Sequence, residues 1–303
     1  MSDFQEKIYQ AFHKDIEGID FPEADKLKEE FQNLQPLGEE EKDGIKNYEE
    51  AFLVRFAYES NAIEGSTLTL GETGLVLEGE FVPSEDKKLA DIFAAKGCAD
   101  GYAYIKRALS ENRPLTEDFI KDIQERTALD CQPRVRGTYR FSPAMIVGSR
   151  TAPADALEIR SLVPSLIYMY ENSKAHPIAK ATAFHAMFEN IHPFSDGNGR
   201  TGRLILNYML EQSGYQPIAI KHNAKADYKS SLEAWQVKGD PSSFINIVKE
   251  CVESELSEQI TIVEKTREAI KILEPERLKS RVKAAKEVSK GSLDHPIEEK
   301  FKD

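Results

Sequence analysis

Cysteine is scarce in this sequence and badly spaced for pairing: Cys98, Cys131 and Cys251 are the only three in 303 residues. An odd number with no CxxC argues against a disulfide framework or a structural zinc site, and a reduced, cytoplasmic protein is the expectation. Long apolar runs are missing too. No stretch of about eighteen apolar residues occurs, so a membrane span is not expected. The first residues, MSDFQEKIYQAF, lack the basic and apolar regions of a secretory leader. Positive charge is in short supply, 40 Lys and Arg against 52 Asp and Glu for a formal −12. That balance argues against a protein that grips nucleic-acid backbones, while leaving room for a local basic pocket. Internal repeats, low-complexity segments and a GxxxxGK[ST] P-loop are all absent.

What is present is mostly helical patterning, with 40% apolar residues to build a core. Short amphipathic helices are predicted over 3–16 and 22–34, then a loop with Pro36 and Gly38. A buried helix follows from about Lys46 and stops at Gly65, after Glu64. Thr69 and Glu72 have capping-box spacing for a helix to about Glu78. Ser84 and Thr116 are candidate caps for helices ending near Leu109 and Leu129. Over Arg136–Arg150 the pattern changes to short β-favouring runs around Ser142-Pro143, read as a β-hairpin flap. Helices resume over about 155–172, with Pro164 inside, then 178–191, 201–212, 224–238 and 242–256. The charged tail after Ser257 is helix-prone, with breaks expected at Glu274-Pro275-Glu276 and at Gly291; a solvated helix pair or a docking arm both fit it. The chain thus divides into an N-terminal helical extension (1–43), a core (44–256) and a charged C-terminal tail (257–303).

The stretch HPFSDGNGRTGR, His192 to Arg203, carries the chemistry. It contains a literal G-x-G-x-x-G, yet a dinucleotide fold needs a buried strand before those glycines and an acid about twenty residues later. Here the preceding AFHAMFENI has helical spacing, and no acid stands near Lys221. A helix–loop–helix remains, in which Gly197 and Gly199 let backbone N–H groups approach an anion at a helix start. Arg200 and Arg203, three apart, can reach the same anion. Asp196 beside an anion makes sense if a divalent cation bridges it to phosphate oxygens. His192 can then act as general base on an attacking hydroxyl. These residue types describe nucleotidyl transfer better than redox chemistry.

HPFSDGNGRTGR resembles the Fic-family signature H-P-F-x-[DE]-G-N-G-R-x-x-R at every defined position. The resemblance extends over roughly 45–250 and implies an all-α Fic/Fido core with a small β-hairpin flap. It also implies AMP transfer from ATP, with Mg²⁺, to a Tyr, Thr or Ser hydroxyl of a target protein. On that resemblance His192 is the base and Asp196 the Mg²⁺ ligand. Gly197, Asn198 and Gly199 form the phosphate nest, with Asn198 also at the α-phosphate. Arg200 and Arg203 hold the β- and γ-phosphates, and Phe194 anchors the loop. Gly199 favours AMP transfer over the phosphorylation of the kinase-like Doc branch, whose loop has no second Gly.

A second run, SNAIEGSTLTLGE from Ser60, is similar to the inhibitory motif [ST]-x-x-x-E-[GN] of Fic proteins through Ser60, Glu64 and Gly65. A carboxylate packed near Arg203 would take the guanidinium that ATP needs, so Glu64 is expected to restrain the enzyme. The flap is expected to hold a target segment by strand addition. Tyr228 and Asn207 are candidates for adenine contact, whereas His185 and Trp235 read as core residues. Three alternatives stay open: removal of AMP, transfer of another nucleotide or of phosphocholine, and a regulatory binding protein with a silent site. Self-modification and a homo-oligomer are also open, and the target protein is unidentified.

Overall fold

The computed structural model describes residues 2–80, 88–145 and 150–291, with side chains as far as residue 273. Among the described residues the chain is built of α-helices and short helical turns. The first, α1 (Asp3–Gln10), is started by a reciprocal capping box between Ser2 and Gln5, and α2 (Pro22–Asn33) by a proline in its first turn. Next comes α3 (Glu39–Glu64), a single 26-residue helix that ends at Glu64 because Gly65 turns left-handed at φ 99°. The predicted Thr69–Glu72 box opens α4 (Leu70–Glu78). Helix α5 (Leu89–Ser110) starts later than expected, and its proposed cap Ser84 lies outside the described residues. Thr116 caps α6 (Glu117–Thr127) as predicted.

After a loop come α7 (Ile159–Asn172), α8 (Pro177–Ile191) and α9 (Asn198–Gln212). The chain finishes with α10 (Lys225–Lys238) and α11 (Ser242–Gly291). Helices α8 and α9 pack on each other at the centre. Around them α9 meets α3, α5 and α6, while α8 meets α7, α10 and α11. Both are buried on almost every face, α8 through mostly small and apolar residues and α9 with Asn198, Arg200, Arg203 and Asn207 buried beside its apolar ones. None of the described helices is long and apolar enough to cross a membrane.

Two sequence expectations are corrected here. The β-hairpin over 136–150 is not supported, since the only β contact among the described residues is an isolated bridge between Tyr139 and Phe194. The Arg140 N–H donates to the Pro193 carbonyl at 3.0 Å, so Tyr139 and Arg140 pair with the loop after α8. Residues 146–149, in the second arm of the expected hairpin, lie outside the described residues. The tail, for its part, has no break at 274–276: α11 runs on to Gly291. Proline removes one helical N–H, and the strong helix formers around it carry the helix through. Ile260 and Val263 of this segment are buried, and Arg267 bonds Glu41 at 2.7 Å and the Leu34 carbonyl.

Small residues on α5 set how closely α6 approaches the centre. A Cβ on Gly97 would lie 2.5 Å from the Thr127 carbonyl oxygen and 2.9 Å from that of Arg126. Both obstacles are backbone and cannot swing aside. Gly97→Ala is therefore expected to destabilise the chain by about 1–3 kcal/mol, as overpacking does. Urea unfolding with an unchanged midpoint would refute that reading of α5.

Candidate active site

A cavity of about 930 Å³ opens between the end of α3, the loop 192–197, the start of α9 and α10, with Glu64, His192, Asp196, Gly199, Arg203 and Tyr228 among its walls. His192 terminates α8 in a left-handed conformation (φ 53°, ψ 60°) that few non-glycine residues adopt. Arg140 holds the turn. Its buried guanidinium donates to the carbonyls of His192 (2.8 Å), Ile191 (3.3 Å), Ser142 (2.8 Å) and Ala154. Burial lowers the His192 pKa, the Glu189 carbonyl works the other way, and the Arg140 charge lowers it further. The ring is therefore neutral at physiological pH.

Phe194 is fully buried, as expected, and Tyr139 packs on it. Asn198 staples the loop shut: its Oδ1 accepts from the Phe194 N–H at 2.9 Å and its Nδ2 donates to the Phe194 carbonyl at 2.8 Å. Both ends of that side chain are thereby engaged with Phe194, leaving one N–H of the Nδ2 amide uncommitted. Gly197 (φ 77°) turns the chain into α9, and its N–H donates to Asp196 Oδ1 at 2.5 Å. Gln124 braces the turn by donating to the Asp196 carbonyl at 3.0 Å and accepting from the Gly137 N–H.

The two arginines differ from the simple picture of a paired phosphate grip. Arg200 is held by Asp130 through two hydrogen bonds of 2.8 and 3.0 Å, and the Thr127 carbonyl lies 3.4 Å away. Arg203 is buried and points to the end of α3. It donates to Ser60 Oγ (3.0 Å), the Ser60 carbonyl (2.8 Å), Glu64 Oε1 (2.7 Å) and the Tyr228 hydroxyl (3.4 Å). Burial works to raise the Glu64 carboxyl, but Arg203, with Arg200 and Lys229, outweighs it and keeps Glu64 ionised. The Glu64 side chain remains 43% exposed through the cavity mouth. Its Oε1 also lies 2.2 Å from where a Cβ on Gly199 would stand. A carboxylate thus sits against the glycine face at the N-terminus of α9, the place suited to an anion.

Tyr228 lines the cavity with its hydroxyl between Arg203 and His185 Nε2 (2.8 Å). Asn207 does not: its amide is spent on the backbone of Ile218 (2.8 and 3.0 Å), which fastens the segment after α9. Trp235 is a core residue whose Nε1 donates to Asp15 at 2.9 Å. Cys131 lies near Asp130 and Asp196, and burial followed by those charges pushes its thiol up to about 12, so it is no nucleophile. Among the described residues no three His, Cys, Asp or Glu side chains converge on a metal position. Asp196 lies at the cavity with its side chain 66% exposed. Sequence reasoning missed Arg140, Gln124 and Asp130, whose roles depend on contacts more than fifty residues away in sequence.

Residues 114–210 match the Fic/DOC family model. Protein adenylyltransferase Fic of Nematostella vectensis is 31% identical over 199 residues, 65% of this chain and 46% of the relative. The protein of the same name from Culex quinquefasciatus is 27% identical over 238 residues, 78% of this chain and 46% of the relative. The chain therefore spans less than half the length of these curated relatives. Among solved structures, a Fic domain-containing signaling protein from Bacteroides thetaiotaomicron has a TM-score of 0.72 at 28% identity, covering 80% of this chain and 97% of that one. Fic-1 of C. elegans shares the fold, with a TM-score of 0.69 at 24% identity over 80% of this chain and 72% of its own.

Glu189 is a further titratable wall residue that sequence reasoning left aside. Burial pushes its carboxyl up to about 8, against the pull of Arg203 and with the help of Glu64. Between the ordinary 4.5 and 8, the folded chain keeps a proton that the unfolded chain has released, so stability falls as pH rises through that window. His185, driven by burial to about 3, contributes slope only below its ordinary value near 6.5. From pH 6.5 to 8 the melting temperature of Glu189→Gln should accordingly fall less than that of the wild type. Parallel profiles would mean that Glu189 is ionised in the fold.

Proposed function

We propose, on the premise that this chain carries a Fic/DOC domain, that it is a protein adenylyltransferase that moves AMP from ATP to a Tyr, Thr or Ser hydroxyl of a target protein. The observation that carries the reading is the convergence, in one cavity, of a neutral His192, a glycine turn at the start of α9 and the buried Arg203. The adenylyltransferase name of the relatives supports it. His192 takes the proton of the target hydroxyl as that oxygen bonds to the α-phosphorus. The bond from that phosphorus to the bridging oxygen of the β-phosphate breaks, and pyrophosphate leaves. Backbone N–H groups of Gly197, Asn198 and Gly199 stabilise the phosphoryl oxygens, with the positive end of α9 behind them. Arg203 holds the γ-phosphate, and Arg200 supplies positive charge from beneath the turn. Asp196 would carry Mg²⁺, which supplies charge neutralisation on the phosphates. Tyr228 is kept as the wall for the base.

Glu64 restrains the reaction in this reading. Its carboxylate pairs with Arg203 and rests on Gly199, where the terminal phosphates of a productive ATP have to lie. Target docking is assigned to the extended run after Gly137, which already bridges Phe194 and bears an exposed Phe141. Residues 44–256 would be the catalytic unit, flanked by 1–43 and 257–303. Three free thiols suit a cytoplasmic setting.

Glu64→Gly should raise AMP incorporation from labelled ATP, onto the chain itself and onto lysate proteins, by roughly tenfold or more. That figure follows from losing a charge-assisted bond that is partly open to water. Incorporation no higher than wild type would sink the self-restraint. In the released background, His192→Ala should cut transfer by about 10² to 10⁴ while nucleotide binding persists. Retained transfer would remove His192 from the base role.

A further inference from the structure

Arg200 and Asp196 stand four residues apart across the start of α9, the spacing at which an acid and an arginine ordinarily pair. Here they make only a long ion pair: Arg200 Nη2 lies 3.8 Å from Asp196 Oδ1, beyond a hydrogen bond. Asp130, seventy positions away in sequence, takes both terminal nitrogens of Arg200 instead. That pair is well sealed, with side chains 4% and 18% exposed, whereas Asp196 is 66% exposed. Arg200 Nε is buried without a partner, so Asp130 and the Thr127 carbonyl are what restrain the guanidinium. Asp130 is itself anchored just beyond α6, whose end is locked onto α5 by the close approach at Gly97.

We propose that Asp130 is a positioning residue that keeps Asp196 available to a divalent cation by taking the hydrogen bonds of Arg200 that would otherwise go to Asp196. The inference rests on the functional reading above, in which the cation arrives with the nucleotide. With Asp130 in place, both terminal nitrogens of the guanidinium have short carboxylate hydrogen bonds, and Asp196 is left with the longer contact. Without it, the nearest carboxylate to Arg200 is Asp196, and the ordinary i, i+4 pair would close over the cation's protein ligand.

The test uses the full chain with Glu64→Gly, loaded with an ATP analogue whose α–β bridge is methylene, so that no transfer occurs. Mn²⁺ replaces Mg²⁺, and free Mn²⁺ is read by electron paramagnetic resonance. Asp130→Asn should weaken Mn²⁺ binding to the complex by about tenfold, the usual scale for a group that orients a metal ligand. Nucleotide affinity at saturating Mn²⁺ should hold, and Asp130→Glu should restore part of the loss. In an Arg200→Met background, Asp130→Asn should make no further difference. Unchanged Mn²⁺ binding would overturn the proposal. An equal loss in both backgrounds would too, because Asp130 would then act through its own charge. Asp130→Ser is the second variant; failure of both to fold would make Asp130 a stability residue and likewise end the proposal. A Glu64→Gly chain that binds no nucleotide sinks the functional reading, while one that binds nucleotide and metal but ignores Asp130 sinks only this inference.

Discussion

A buried arginine at position 203 constrains everything around it. A guanidinium taken out of water has to be met by acceptors on every side, because an unpaired buried charge costs far more than a paired one returns. Here the acceptors come from two helices distant in sequence, Ser60 and Glu64 on α3 and Tyr228 on α10. Any arrangement that satisfies Arg203 therefore brings the ends of three helices to one point. The cavity is the space left among them.

That constraint needs α3 to keep its register, since a slip of one turn would move Glu64 by about 5 Å. Helix α11 supplies the clamps. Glu255 accepts from Arg55 and Tyr48, and Arg267 bonds Glu41 near the other end of α3. The long C-terminal helix thus reads as a splint for α3 as much as a tail. Dipoles act in the same direction: the negative end of α3 carries the carboxylate, and the positive end of α9 receives it. Glu64 would be poorly placed at its own helix terminus if α9 were not opposite.

How much of this the sequence revealed depends on distance along the chain. The twelve residues from His192 to Arg203 were legible because their chemistry is local: Gly197 turns the chain, α9 starts at once, and the acid and arginines follow at helical spacing. Glu64 was legible for the same reason, standing just before Gly65 at a helix end. The partners of these residues were not. Nothing in the spacing says that Asp130 will take Arg200, that Arg140 will cap α8, or that Asn198 will spend its amide on Phe194. The run at Thr138–Phe141 was read as half of a hairpin because its residues favour extended backbone. Tyr139 does form a β-bridge, but its partner is Phe194 in the loop after α8. Periodicity identifies a conformation, and only the packed chain supplies the neighbour.

The two loop arginines are both matched by carboxylates, yet the matches are not equivalent. Glu64 is 43% exposed and Asp130 only 18%. Solvent at the cavity mouth screens the first pair and offers its carboxylate somewhere to go, so that pair costs less to part. The second pair is shut in, and separating it would leave two uncompensated charges in the interior. Under the proposed adenylyl transfer, an arriving triphosphate would meet one exchangeable cation, Arg203, and one fixed one, Arg200. Exchange at Arg203 would let a side chain of the protein itself compete with substrate, and permanence at Arg200 would keep the turn beneath the phosphates in place.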